Sequence, residues 1–280
     1  MVAGIRGAVA AAYNYSRWPR PRYAQHRGMG VPGQVWPAGR GRAADPYAER
    51  TGMEEQLLGT TLPVLSVCLD PGESVVAETG EFSWMTDSIQ MSTGSSLFLS
   101  TYTAKDAPGT ITFAAKLPGS ILGTEIGPGT EYLVHRHGFL AGTPGIEISA
   151  GFQQPFSTGI FAGEDFVLQR VGGQGRAWIE LAGEVVSYDL APGESLRVHP
   201  GHVGMFTASV SFQVMRVPGI ANRYFGGDVH HFAVLSGPGS VWLQSMPLPV
   251  LAAALAPFLP QAQVQTPAQV EADGAAEDGA

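Results

Sequence analysis

Three segments of this chain repeat one pattern, and that recurrence limits the fold more than any single motif. They are PGESVVAETGEFSWMTDSIQMS from Pro71, PGTEYLVHRHGFLAGTPGIEIS from Pro128 and PGESLRVHPGHVGMFTASVSFQV from Pro192. Each opens with Pro-Gly, runs through a short apolar segment to a second glycine (Gly80, Gly138 or Gly201), and then alternates apolar and polar residues. Proline fixes φ where a turn needs it and glycine accepts positive φ without a Cβ clash, so each Pro-Gly reads as a turn. Period-two alternation sends one face of a segment toward a core and the other toward water, which is the mark of a strand. The second copy carries one extra residue between its glycines, which predicts a bulge there.

A second pattern follows each first one: LFLSTYTAKDAPGTITFAA, FVLQRVGGQGRAWIELAG and FAVLSGPGSVWLQSM. These read as hairpins that turn at Gly109, Gly175 and Gly239 and return through Phe113, Trp178 and Trp242, aromatics that alternation places on the core face. Three copies of four strands predict an all-β domain of about a dozen strands, a β-sandwich or β-prism-like arrangement of three degenerate repeats. A phosphate-binding loop at RVGGQGRA is disfavoured, because strand-like AWIEL follows where a helix N-terminus would be needed.

Composition agrees with many short strands: Gly 37 and Pro 21 punctuate the chain too often for long helices, and only 14% of residues are charged. The net charge is −8, yet residues 1–50 hold eight arginines against Asp45 and Glu49, so the remainder is strongly acidic. With its few cations scattered, that remainder lacks the basic surface nucleic acid requires. Cys68 is the only cysteine, which rules out an internal disulfide and a thiolate zinc framework and points to a cytoplasmic setting. In PVLSVCL it reads as a small core residue.

Residues 1–52 lack sustained apolar periodicity and are expected to be disordered. They read as a flexible arm, an Arg-rich targeting peptide or a non-native extension, and Met53 is well placed as a start. Residues 53–260 form the single all-β domain. Near its end PLPVLAAALAPFLPQ predicts a short helix bounded by Pro249 and Pro257, its leucines packed on the domain edge, and 261–280 is an acidic tail expected to be disordered. No apolar run is long enough to span a bilayer, so no stable membrane insertion is expected.

The opening LDPGESVVAETGEFSWM, the pairs LAPGE and GHV, and the closing GPGSVWLQSMP resemble the altered inheritance of mitochondria protein 24 family, found in bacteria and in eukaryotic mitochondria. The similarity spans roughly residues 57–260, and this chain is read as a bacterial member. The resemblance implies a fold like that of the tryptophan RNA-binding attenuator protein, with three related β units in one chain and without RNA binding. It implies no catalytic residues. Its eukaryotic members are associated with organisation of the mitochondrial inner membrane.

Six histidines lie in or near the repeats: His135 and His137, His199 and His202, His230 and His231. Two strand residues two apart share a face, so His135 and His137 could chelate a metal with Glu131 or Glu147 in a cupin-like enzyme. The spacing opposes this, because a cupin places its carboxylate closer to the second histidine. A surface or interface role suits His230 and His231 better. Of the carboxylates Glu73, Glu78, Glu131 and Glu194, three sit at repeat-related turns and read as caps of turn amides. No G-x-S-x-G elbow exists. The sequence therefore predicts no catalytic, cofactor or metal residues, and a non-enzymatic scaffold or interaction protein with a protein partner. Its strand edges are also open to homo-oligomerisation. A metal-dependent enzyme and a membrane-associated organiser are the alternatives.

Overall fold

The computed structural model describes residues 22–23, 53–93, 99–155, 165–216 and 231–259. The tails read as disordered, 1–52 and 261–280, lie outside these residues apart from Arg22–Tyr23 (β1), and so does His230. A leading strand, Glu54–Leu58 (β2), precedes three runs of six. The first run is Val64–Leu69 (β3), Ser74–Glu78 (β4), Trp84–Met85 (β5), Ile89–Thr93 (β6), Leu99–Ala104 (β7) and Gly109–Ala114 (β8). The second is Gly119–Ile126 (β9), Tyr132–His135 (β10), Phe139–Gly142 (β11), Ile146–Pro155 (β12), Asp165–Gly173 (β13) and Gly175–Ala182 (β14). The third is Val185–Leu190 (β15), Ser195–Val198 (β16), Val203–Thr207 (β17), Ser211–Arg216 (β18), His231–Ser236 (β19) and Gly239–Gln244 (β20).

Pairing is antiparallel throughout and follows one scheme in every run. The first and third strands flank the sixth (β3·β8·β5, β9·β14·β11, β15·β20·β17), and the second and fourth flank the fifth (β4·β7·β6, β10·β13·β12, β16·β19·β18). That order is a six-stranded roll of the jelly-roll type. Each run thus holds six strands where the sequence pattern suggests four. The Pro-Gly segment contributes three of them and the hairpin two, and one more precedes each Pro-Gly.

Sheets also run from one roll into the next: β4 pairs with β11 (Ala77↔Ala141, Val76↔Gly142), and β10 pairs with β17 (Val134↔Met205, Leu133↔Phe206). The resulting sheets have seven strands (β1-β15-β20-β17-β10-β13-β12), six (β6-β7-β4-β11-β14-β9), four (β2-β3-β8-β5) and three (β16-β19-β18). Three apolar cores fill the rolls, one around Leu65, Tyr102 and Phe113, one around Val134, Phe139 and Ile179, and one around Phe206, Leu235 and Val241. A shared sheet serves two cores at once, because alternate side chains leave it on opposite faces.

Several local expectations change. Trp178 and Trp242 occupy one register, but its counterpart in the first run is Thr112, with Phe113 one place on. Cys68 faces away from the core: Leu65, Val67 and Leu69 are fully buried while Cys68 alternates to the other side, its sulfur 3.4 Å from the Thr110 hydroxyl. The extra residue of the second copy is taken up in the β10–β11 turn, where His137 has φ 62°, the only positive-φ non-glycine among the described residues. Register shifts occur in β11·β14 and in β17·β20, so a bulge does not distinguish the second copy from the third. No residue of the C-terminal helix, Leu248–Leu255 (α1), is fully buried: Leu251 is half-buried while Leu248 and Leu255 are exposed, so its leucines meet the domain edge only in part.

Candidate binding pocket

Where the second and third rolls meet, the chain forms a partly open pocket of about 300 Å³. Its floor holds two polar side chains at equivalent places on the sixth strands, Glu180 on β14 and Gln244 on β20, with fractional exposures of 6% and 4%. Phe166, Val203 and Ala182 supply apolar wall. Leu117 in the β8–β9 link and Pro247–Pro249 entering α1 close the sides, and Lys116, Arg136 and His137 stand around it.

The floor residues bind backbone in repeat-related ways. Lys116 N–H donates to Glu180 Oε1 at 2.9 Å, and Ala182 N–H donates to Gln244 Oε1 at 3.1 Å. Lys116 lies just past the sixth strand of the first roll and Ala182 ends that of the second, so each acceptor ties down the exit from the preceding roll. Gln244 then uses its amide N–H to reach the Gly201 carbonyl at 3.3 Å. Glu180 has no such donor when ionised, and its Oε2 is buried without a hydrogen-bond partner. Burial pushes the Glu180 carboxyl above the usual carboxylate range, and the Lys116 N–H and charge only partly oppose it.

His135 ends β10 and donates from Nε2 to the Glu180 carbonyl at 3.1 Å. Its imidazole is half-buried, and desolvation lowers its pKa, so the neutral ring is favoured. Gly138 makes this approach possible: a Cβ there would lie 2.7 Å from Val134 Cγ1 and 2.8 Å from the His135 ring.

The geometry separates the histidines proposed for metal. His135 points down onto the Glu180 backbone. His137 sits in the turn, 58% exposed at its side chain, with Nδ1 3.7 Å from Glu78 Oε2. Strand logic would have put the two on one face, but β10 stops at His135 and the positive φ of His137 turns its side chain elsewhere. Glu131 is engaged by Arg170 at 2.6 Å, and Glu147 lies exposed on β12. Among the described residues no three His, Cys, Asp or Glu side chains converge on a metal position. The His135, His137 and carboxylate constellation of the cupin-like alternative is therefore not assembled.

The remaining candidates hold structure together. His202 Nδ1 donates to the Gln244 carbonyl at 2.8 Å and meets the His199 ring edge-on at 5.7 Å, while His231 pairs in register with Arg216. Glu73 and Glu194 accept Asp70 and Ala191 N–H, both at 2.8 Å, capping equivalent Pro-Gly turns. Glu78 accepts the Gln169 amide at 2.6 Å and caps no turn. Glu180 and Gln244 went unread because neither belongs to a motif. The signal was present, since they occupy the same place relative to Gly175 and Gly239 in IEL and WLQ.

Among the described residues, three serial antiparallel rolls with a largely apolar pocket where the second meets the third define a β-rich protein class. The family model described as mitochondrial biogenesis AIM24 matches residues 56–246, and the chain belongs to that family. The fold is similar to that of a Streptococcus pyogenes protein known from an X-ray structure, at 18% identity and a TM-score of 0.61, over 74% of this chain and 100% of that one. No curated protein matches significantly. Among the described residues no helix is long and apolar enough to cross a membrane.

Proposed function

We propose that this protein is a non-enzymatic β-rich scaffold that acts by holding a protein partner, with the pocket between the second and third rolls receiving an apolar segment of that partner. The observation that carries this reading is how the polar groups of the pocket are used. Glu180 Oε1, Gln244 and the His135 Nε2–H are all committed to the chain's own backbone, in a cavity otherwise walled mainly by apolar side chains. Groups tied to backbone in this way fix the shape of the pocket. Lys116 is paired with Glu81 at 2.7 Å, so Arg136 is the cation at the pocket that favours an acidic residue flanking the bound segment.

The test places a photo-crosslinking side chain at Leu248, which is 59% exposed beside the pocket. One protein partner is expected to be labelled, and labelling is expected to fall at least tenfold when Leu117→Glu puts a charge on the pocket wall. Turnover in a metabolite screen that is lost on His135→Ala would sink the scaffold reading.

A second reading, a membrane-associated organiser, is favoured by the apolar surface at the C-terminal end: Leu255, Phe258 and Leu259 are 48%, 84% and 61% exposed. The helix has no basic residue in its last turn to meet anionic lipid. Flotation with anionic liposomes, lost in Phe258→Glu, would support it. Protein left wholly in solution would remove it.

A further inference from the structure

The junction between rolls is made twice within the chain and left half-made at both ends. Each junction joins the second strand of one roll to the third strand of the next, and both copies share one register: Ala77↔Ala141 corresponds to Val134↔Met205, and Val76↔Gly142 to Leu133↔Phe206. The pairs that place Ala141, Met205 and Trp84 opposite Trp178, Trp242 and Thr112 fix the correspondence of the third strands. Two strands remain without this partner among the described residues. The second strand of the third roll, β16, pairs only with β19, and the third strand of the first roll, β5, pairs only with β8.

The surfaces at these two edges show what the missing junction would cover. Ala141 and Met205 are 0% and 2% exposed because each lies in a junction, whereas their counterpart Trp84 is 56% exposed. Trp84's partner in the shared register is Val198, a buried residue of the third core on the strand that lacks a junction. On the other face the register sets Met85 opposite Arg197. Asp87, exposed just past β5, then lies diagonal to Arg197 and within reach of an arginine side chain. An exposed aromatic and a carboxylate at one edge thus face a core strand without a junction and a guanidinium at the other.

We propose that these edges bind each other between two copies of this chain: β5 of one copy pairs antiparallel with β16 of the next, in the register Trp84↔Val198 and Met85↔Arg197. The contact is head-to-tail, so each copy keeps one free edge until a ring closes. The partner is a second copy because both halves of the junction, with matched register and opposite charge, are carried on one chain.

The test uses the full chain with Cys68→Ser and introduces Trp84→Cys or Val198→Cys singly, since directly opposed strand residues are close enough for a disulfide. Mixing the two variants under mild oxidation is expected to give a linked dimer on a non-reducing gel, and neither variant alone should. In the otherwise native chain, Asp87→Arg and Arg197→Asp are each expected to weaken self-association at least tenfold by sedimentation velocity, and combining them should restore it. Two outcomes overturn the proposal: a native mass of one 29.4 kDa chain at every concentration, or a chain bearing both cysteines that closes its disulfide internally. Because Trp84, Asp87 and Arg197 are exposed, circular dichroism of the variants separates lost assembly from lost fold.

Discussion

Glu55, on the leading strand β2, accepts the indole N–H of Trp178 at 2.6 Å, although 123 residues separate them in sequence. The same carboxylate takes the Arg176 Nε–H at 2.7 Å, and Arg176 in turn donates to Glu125 at 2.6 Å. Trp178 is 1% exposed and packs in the first core, so its polar edge needs an acceptor, and β2 delivers one. Glu55 is also the main reason the Arg176 guanidinium is held above its ordinary pKa. Replacing Glu55 by alanine leaves a buried donor unmet and is expected to cost about 1–3 kcal/mol. Urea unfolding measures this, and the cost should fall sharply in a Trp178→Phe background. Equal costs in both backgrounds would show that the indole contact contributes little.

Glu180 and Gln244 are repeat-related, but only the amide has a donor for the second hydrogen bond. Glu180→Gln keeps the acceptor for the Lys116 N–H and removes a carboxylate whose ionisation burial opposes, so it should stabilise the protein by about 1 kcal/mol near neutral pH. The sign of the pH dependence follows from the raised carboxyl pKa. The folded chain keeps a proton that the unfolded chain releases, so stability is lost as pH rises from the ordinary glutamate value through the folded one. Thermal unfolding from pH 4 to 8 should show that loss in the native protein and a flatter profile in Glu180→Gln. Parallel profiles would refute it.

His135 acts in the opposite direction. Its folded pKa is lowered by desolvation, so the unfolded chain takes up a proton first as pH falls below about 6.5. Stability is therefore lost on the acid side, from that value down through the folded one. His135→Gln keeps a donor for the Glu180 carbonyl and cannot titrate. On acidification below pH about 6.5 its melting temperature should fall less, or rise more, than that of the native protein, and proton NMR of the ring should give a pKa below the ordinary histidine value.

What the sequence disclosed and what it hid divide along a physical line. Turns were legible because Pro-Gly encodes backbone geometry locally, and the burial of Leu65, Val67 and Leu69 obeys strand alternation. The short segment Trp84–Met85 did not read as a separate strand, because a two-residue strand has no period to detect. The pocket was hidden for a different reason. Glu180, Gln244, Lys116 and Pro247 come from distant parts of the chain, and only the serial joining of rolls brings them together. The divergence of His135 and His137 was also beyond strand periodicity, which holds only while the strand continues and fails at the turn.

One hydrogen bond recurs in all three rolls and explains why glycines open the sixth strands of the last two. Thr86, Thr143 and Thr207 hydroxyls accept the N–H of Thr110, Arg176 and Ser240 at 3.0, 3.1 and 3.1 Å. Each donor directly follows Gly109, Gly175 or Gly239. Gly175 has φ 137°, and a Cβ there would lie 2.0 Å from Thr143 Oγ1, while at Gly239, φ 145°, it would lie 2.4 Å from Thr207 Oγ1. Thr143→Val is therefore expected to cost about 0.5–1.5 kcal/mol through the lost acceptor, with Thr143→Ser near neutral. Gly175→Ala should cost more than 1 kcal/mol, since it combines backbone strain with the clash. Only the clash can be relieved by shortening the threonine, so Gly175→Ala with Thr143→Ala should lose less than the two single costs together, by about 0.5 kcal/mol or more. A double-mutant cycle by urea denaturation reads that coupling. Strict additivity would mean that strain at Gly175 acts alone and the hydroxyl does not set the turn.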